Sequence, residues 1–374
     1  MSGLKTVLIV GGGIGGMSAA IALSRAGVQV ELIDIDPEWR VSGAGLTLTG
    51  PTLRAFKQLG ILDAVQASAY TGEGIQICTA AGAKIERLPT ALLSDPGIPG
   101  SGGILRPVLH SILSQRVKQI GVGVRLGLSV SALEEEETRI TVRFTDGTTG
   151  RFDLVIGADG LFSQVRRLTR PDAPAPSYTG QSVWRLMTTR LPDVDCRHYF
   201  LGGPCKVGLT PVSATKMYLF CLEVGPRRPP QTNALLAETL RGLLAPYGGQ
   251  VAQVRAVIDE RASIVLRPLE AFLLPPPWRT RRTLLVGDAA HPTTPQLASG
   301  AGMAVEDALV LEQEATCHSS LELVLKAFMS RRYPRCSLIV QNSLAIGRLE
   351  QSGAPIADQT RLVQQSLRAL AAPI

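Results

Sequence analysis

The sequence predicts an α/β fold in which a parallel-sheet domain is interleaved along the chain with a smaller, sheet-dominated domain and followed by C-terminal helices. Three observations predict it. Val7–Val10, Leu154–Ile156 and Thr283–Val286 are short apolar runs rich in branched residues that stop at glycine, as buried parallel strands do. The first of them passes at once into a helical pattern and a second strand, Val28–Ile33. From about 179 to 266, by contrast, strand patterns follow one another with few helices. A chain of 374 residues also exceeds what one core usually serves, so two domains are expected.

In chain order, Val7–Val10 runs into Gly11, Gly13 and Gly16, and a helix must start inside that glycine run. Gly11 permits a tight turn, Gly13 lets backbone amides approach a pyrophosphate, and Gly16 lets helix and strand pack closely, so the helix N-terminus faces phosphates. Ala20 follows on the face that should press on the sheet, and Gly27 can end the helix in a left-handed cap. The second strand closes at Asp34, 18 residues after Gly16, near the usual offset for an acid that binds a ribose hydroxyl. A glycine motif alone is a weak signal. With strand, helix, second strand and terminal acid together it marks a Rossmann-like dinucleotide site, which FAD and NAD(P) fill equally well.

Asp36–Arg40 reads as a turn and Ser42–Leu48 as a short strand flanked by Gly43 and Gly45, where a ligand or a simple bend explains the glycines equally. Pro51 starts a helix with Leu53, Phe56, Leu59 and Leu62 at helical spacing. Strand signals at Gly74–Cys78 and Lys84–Leu88, then a proline- and glycine-rich loop from Asp95 to Gly103, read as an excursion out of the first domain. Arg106 opens the next helix, where the helix dipole disfavours a cation unless an anion answers it; a bound phosphate would serve, and an ordinary surface arginine is the alternative. Strand patterns at Val122–Leu126, Ser129–Glu134, Arg139–Thr145 and Thr148–Leu154 fit a three-stranded antiparallel meander with Asp146-Gly147 as its hairpin turn. The second apolar run ends in Asp159-Gly160, with Ser163 and Arg166 opening a helix. The third ends in Gly287-Asp288, and a proline- and glycine-rich loop leads to a helix at Gly300. Ligand contacts in α/β sheets concentrate at such strand ends. The remainder is helical, with Pro334 expected to break or kink it. The expected domains are 1–72, 98–178 and 267–343 for the dinucleotide-binding part and 73–97 with 179–266 for the second part, with 344–374 as a C-terminal helical segment.

Gly-x-Gly-x-x-Gly, Asp-Gly and Gly-Asp at successive strand ends, in this order and at these separations, resemble the single-component FAD-dependent aromatic hydroxylases, the family of para-hydroxybenzoate and salicylate hydroxylases, over nearly the whole chain. The resemblance implies that Gly11, Gly13, Gly16 and Asp34 bind FAD, with Ile14, Gly15, Ile35, Arg40, Gly45, Leu46 and Val130 among the further contacts. It also implies FAD contacts from Arg106, Asp159, Gly160, Gly287 and Asp288, the last on the ribityl chain. Where the family usually has Gly-Gln-Gly-x-Asn, this chain has Gly300-Ala301-Gly302-Met303-Ala304, which loses two side-chain amides and leaves the backbone N–H groups of Gly302 and Met303 as expected donors to the flavin. The implied reaction is reduction of FAD by transient NADH or NADPH, attack of O2 to give a C4a-hydroperoxide, and oxygen transfer to an aromatic or heteroaromatic, phenolic or carboxylated small molecule. The loop carrying Pro292, Pro295, Gly300 and Gly302 is the expected catalytic element, and Trp184, Arg185, His198, Tyr199, Tyr218 and Pro295 are the substrate candidates. His291 is read as a hydrogen-bonded structural histidine rather than a base. A flavin oxidase or reductase of the same fold, or a flavin-bound redox sensor, is the alternative.

Composition narrows the partners. The net charge of +7 comes mostly from scattered arginines, and aromatic residues make up only 5%, so no nucleic-acid platform is expected. No apolar run is long enough to span a bilayer, and a cytoplasmic monomer or homodimer is expected. Six cysteines without a C-x-x-C pair, beside four histidines, indicate reduced, packed thiols and no metal. If Arg106 answers the cofactor, Arg106→Ala loses FAD while Arg106→Lys keeps part of it, since lysine preserves the charge but not the fork; equal FAD titrations of wild type and the alanine variant would return Arg106 to the surface reading.

Overall fold

At the centre lies β1 (Thr6–Val10), flanked in a five-stranded parallel sheet by β2 (Gln29–Asp34) and β8 (Gly123–Leu126) on one side and by β12 (Leu154–Gly157) and β18 (Thr283–Leu285) on the other. The computed structural model describes residues 4–41, 43–90 and 96–374; Ser42 and Asp95, assigned above to a short strand and a loop, lie outside them. Val7, Leu8 and Ile9 are fully buried, as a run flanked by parallel strands and covered on both faces requires. Helix α1 (Ile14–Arg25) packs between the sheet, α4 (Arg106–Gln119) and α8 (Gly300–Cys317). Its end is the expected one, with Gly27 at φ +79° just past the last turn.

The meander comprises β9 (Val130–Glu135), β10 (Ile140–Phe144) and β11 (Thr149–Phe152). The strand at 123–126, expected beside it, is instead the edge of the parallel sheet, paired with β2. A small sheet of β3 (Gly45–Thr49), β7 (Ser101–Leu105) and β4 (Tyr70–Gly72) sits with α2 (Gly50–Leu59) and α3 (Leu62–Ser68). Helix α5 (Gln164–Thr169) follows β12.

The second body is one seven-stranded sheet. Its core strands are β13 (Ser177–Thr189), β14 (Arg197–Leu201), β15 (Lys206–Pro211), β16 (Lys216–Val224) and β17 (Ile264–Ala271), and β5 (Ile75–Thr79) and β6 (Lys84–Leu88) join it at the far edge, giving the order β17-β13-β16-β15-β14-β5-β6. One face buries Leu186, Phe200, Val207, Leu209, Leu219 and Cys221 beneath α6 (Asn233–Leu244) and α7 (Gly249–Ala256). Strands alternate sides every residue, so the other face carries an independent set of side chains.

Helix α9 (Leu321–Gln351) runs unbroken through Pro334, contrary to the expected break, and α10 (Ile356–Ala371) folds back on it. Proline costs a helix interior about 3 kcal/mol. Here arginines flank it on both sides and pin the helix: Arg331 to Glu314, Arg332 to Glu306 and Asp307, and Arg335 to Glu306. Tertiary ion pairs therefore outweigh the local penalty.

The deepest of these contacts is at Asp307. Its Oδ1 accepts from Arg332 Nε at 2.7 Å, and its Oδ2 accepts from the backbone N–H of Gly287 at 2.8 Å and lies 2.7 Å from His291 Nε2. All three side chains are essentially inaccessible. Burial raises the carboxyl's pKa, but the charges of His291 and Arg332 outweigh it and hold the group at about 2. For His291 burial works against the charge, yet the adjacent acid holds its pKa well above the ordinary value. Removing one partner of such a buried pair costs about 3–5 kcal/mol, so Asp307→Asn should lower stability at pH 7 by about 3 kcal/mol. Because the folded pKa lies below the unfolded value of about 3.9, the carboxylate's contribution is complete above the unfolded pKa and is lost as pH falls toward 2. Urea melts of wild type and variant should accordingly differ most near neutrality and converge on acidification from about pH 5.

Candidate active site

The cleft is built from strand ends. Gly11 turns at φ +107°, a region that L side chains rarely adopt, and a Cβ there would run into the backbone of Ala158 at the end of β12. At Gly16 a Cβ would collide with the carbonyl of Gly11, which fixes how closely α1 approaches its strand. The Gly13 N-cap of α1 has no side-chain cap and no acid in the first turn, so its first N–H groups are unanswered by side chains, and Gly13, Ile14 and Gly15 line the cleft. Opposite them, Gly300, Ala301 and Ala304 bring the N-terminus of α8 to the same cavity. Two uncapped helix starts thus converge on one volume, about 390 Å³, within the range of small-molecule sites.

Gly160, Gly287 and Asp288 line the same space, together with Gly45, Leu46, Arg106 and Pro295. Asp288 is exposed there and is the single acid among the lining residues. Arg166 ties the two turns together: its guanidinium donates to the carbonyls of Leu161 and Ala289, both at 2.7 Å, and stacks on Phe272.

Other expected residues are placed differently. Asp34 spends both oxygens on backbone, accepting from Gly12 N–H at 2.6 Å and from Asp36 N–H at 2.8 Å. Asp159 turns away from the cleft to cap α5, accepting from Ser163 Oγ and from the N–H groups of Gln164 and Val165, and burial raises its pKa. Ile35 and Arg40 project outward, Arg40 pairing with Asp36 and Glu38, while Val130 is packed in the core at the start of β9. Pro292 is buried and does not line the cavity. Gly302 faces Thr52 of α2, and the N–H of Met303 is consumed by Ser299 O at 2.9 Å inside the helix. Of the two expected donors only the Met303 N–H is thereby spent; Gly302 lies in the first turn of α8 with Gly300 and Ala301, and of these three Gly300 and Ala301 line the cavity.

The far wall is the open face of the seven-stranded sheet. Register places Arg185 opposite Phe220, Phe220 opposite Gly208 and Gly208 opposite Tyr199, so these four form one row across β13, β16, β15 and β14. A Cβ on Gly208 would strike the Phe220 ring, so the glycine lets that ring lie across the sheet, where it meets Tyr199 edge-on with centroids 5.7 Å apart. The next row holds Val183, Leu222 and Lys206. Tyr218 lies one row the other way, its hydroxyl 2.6 Å from that of Thr47 on β3. Trp184 and His198, expected beside Arg185 and Tyr199, are one residue out of phase and point to the opposite face: Trp184 is buried beneath the sheet with its Nε1 donating to Glu223, and His198 is buried against Phe200. Phe220, Lys206, Val183 and Leu222 were missed in the sequence, although stepping by two from Tyr218 leads to Phe220 and Leu222.

Charge in the cleft is unbalanced. Arg106 and Arg185 line it with no acidic partner among the described residues, and burial, with Arg106 and Arg267 nearby, lowers the Arg185 pKa. Such a pair of guanidinium groups calls for an anionic ligand.

Comparison with known proteins agrees with this architecture. The model of the FAD binding domain family matches residues 5–343. Aurachin C monooxygenase/isomerase of Stigmatella aurantiaca is 30% identical over 92% of this chain and 90% of its own, and 3-amino-4-hydroxybenzoate 2-monooxygenase of Streptomyces cremeus is 32% identical over 82% and 77%. Among solved structures, Klebsiella pneumoniae HpxO complexed with FAD and uric acid superposes with a TM-score of 0.86 at 22% identity, covering 99% of this chain and 97% of that one. The chain belongs to the FAD binding domain family, within the FAD-dependent monooxygenases. Asp288 presents an exposed carboxylate to the cavity, whereas Trp184 lies on the far side of the sheet. Asp288→Ala should raise the FAD dissociation constant about tenfold, the scale of one charged hydrogen bond, and Trp184→Phe should leave it within about twofold, as read by fluorescence titration of the apoprotein.

Proposed function

We propose that this protein uses NADH or NADPH and O2 to hydroxylate an anionic aromatic or heteroaromatic small molecule between the α8 N-terminus and the aromatic wall of the seven-stranded sheet. The observation that carries the reading is Arg185, a guanidinium without an acidic partner among the described residues, set beside Phe220 and lining one cavity with two helix N-termini. The residues present fit FAD: the glycine turn at 11–16 leaves Ile14 as the one side chain where α1 meets the cleft, Asp288 stands free for hydroxyl groups, and Arg106 faces inward without a partner among the described residues. Gly13, Gly15, Gly160 and Gly287 would hold the dinucleotide, and the first amides of α8 would hold the flavin's pyrimidine edge, where negative charge on the reduced ring is stabilised by a helix N-terminus. Bound FAD supplies the transfer of electrons from the nicotinamide and the activation of O2.

The chain's own groups do the rest. Arg185 holds the substrate's anionic oxygen and favours the deprotonated, electron-rich form of a phenol. Phe220 and Tyr199 present a ring edge and face against which an aromatic plane packs. Val183, Leu222 and Leu269 keep water from that end of the cavity. On this reading the reductant visits the cleft transiently rather than occupying a domain of its own. The test is turnover under labelled O2. NAD(P)H oxidation should be slow alone and rise with an aromatic acid or phenol whose product gains one labelled oxygen atom; if peroxide accounts for all the NAD(P)H consumed with every stimulating compound, the protein is an oxidase.

A further inference from the structure

Lys206 lines the cleft from the wall strand β15, and its ammonium is held by a carboxylate on α9 rather than on the sheet. Nζ lies 2.7 Å from Glu350 Oε1, in the last turn of α9. The other oxygen of Glu350 accepts from Gln296 Nε2 at 3.1 Å and from Gln181 Nε2 at 3.2 Å, and Gln296 Nε2 also reaches Gln181 Oε1 at 3.0 Å. Glu350 is thus saturated by three side chains, whereas Lys206 is not. An ammonium has three donors: one is spent on Glu350, another side lies over the Tyr199 ring at 5.6 Å from its centroid, and Lys206 still lines the cavity. Burial disfavours the charge, but Glu350 outweighs it and holds the group protonated.

We infer that Lys206 is a specificity-determining residue that donates to a second oxygen of the substrate, so that the preferred substrate is a flat aromatic anion with an oxygen function at the end opposite the one held by Arg185. The inference rests on reading the cleft as the hydroxylation site. Register supports the two-ended geometry. Lys206 pairs with Leu222, which pairs with Val183, while Arg185 is two residues along β13 from Val183. Two strand spacings across and two residues along separate the Arg185 and Lys206 Cα atoms by about 12 Å, and two long side chains narrow that gap to the length of a substituted ring system. Phe220 lies between them as the shelf for the ring. The Gln296 contact adds that the same carboxylate steadies the loop leading to α8, so an acceptor at Lys206 is registered against the flavin-side loop through one shared acid.

The test uses purified holoenzyme and matched aromatic acids that differ only in the distal oxygen: 4-hydroxybenzoate against benzoate, and 4-hydroxyquinoline-2-carboxylate against quinoline-2-carboxylate. Dissociation constants are read from the change in flavin absorbance on titration. Wild type should prefer the oxygenated member of at least one pair by about tenfold, and Lys206→Met should reduce that preference to about twofold or less while the constant for the plain acid stays put. Lys206→Gln, which keeps a hydrogen bond to Glu350, replaces the methionine variant if the latter does not fold, and Glu350→Gln, which removes the charge that holds the ammonium, should weaken the preference as well. Equal preferences in wild type and the Lys206 variants, or no preference by wild type in either pair, overturn the inference. Failure of the hydroxylase reading shows elsewhere, as protein without FAD or product without labelled oxygen.

Discussion

The cleft depends on one buried carboxylate. Asp307 sits inside α8 and simultaneously receives the first N–H of the Gly287 turn, the ring of His291 and the guanidinium of Arg332 on α9. These partners come from the strand end that carries Asp288, from the start of the loop that carries Pro295, and from the long C-terminal helix. A single acid therefore fixes the mutual position of a cofactor turn, a loop and a helix N-terminus. No lone hydrogen bond at the surface does this, because water competes for each partner there; inside the protein the alternative to pairing is an uncompensated charge. His291 belongs to this clamp and lies outside the cavity lining, held against Asp307.

Much of this was legible from residue order. The glycine turn, the strand that precedes it and the acids after β12 and β18 have local causes, since positive φ, close approach and helix dipoles act over a few residues. Interleaving was legible too, because residues 75–88 carry strand character inside an otherwise helical stretch. What escaped the sequence was phase. Trp184 and Arg185 are neighbours, as are His198 and Tyr199, and nothing local says which of each pair looks at the cleft; that is settled by the packing of α6 and α7 on one face of the sheet. The same holds for Asp159, whose chemistry suits a ligand but whose carboxylate is claimed by the start of α5. Pro334 shows a third kind of failure, a correct local penalty overruled by ion pairs from residues on another helix.

The two ends of the cavity use charge differently. On the cofactor side, helix termini and backbone amides dominate, and they suit phosphates and a delocalised ring without demanding a particular partner. At the sheet wall, charge resides in side chains fixed by the strands, one without an acidic partner among the described residues at Arg185 and one partly balanced at Lys206.

Gly208 shows how finely the sheet wall is drawn. The Phe220 ring rests where a side chain at 208 would be, so the floor of the cleft is as low as the strand itself permits. Adding a single methyl would press on the Phe220 ring and on the backbone carbonyl of His198, so both the aromatic shelf and the neighbouring strand would have to give. The depth of the chamber is thus set by a missing carbon at a position on the strand beneath the ring, and that one absence couples the height of the shelf to the spacing of two strands.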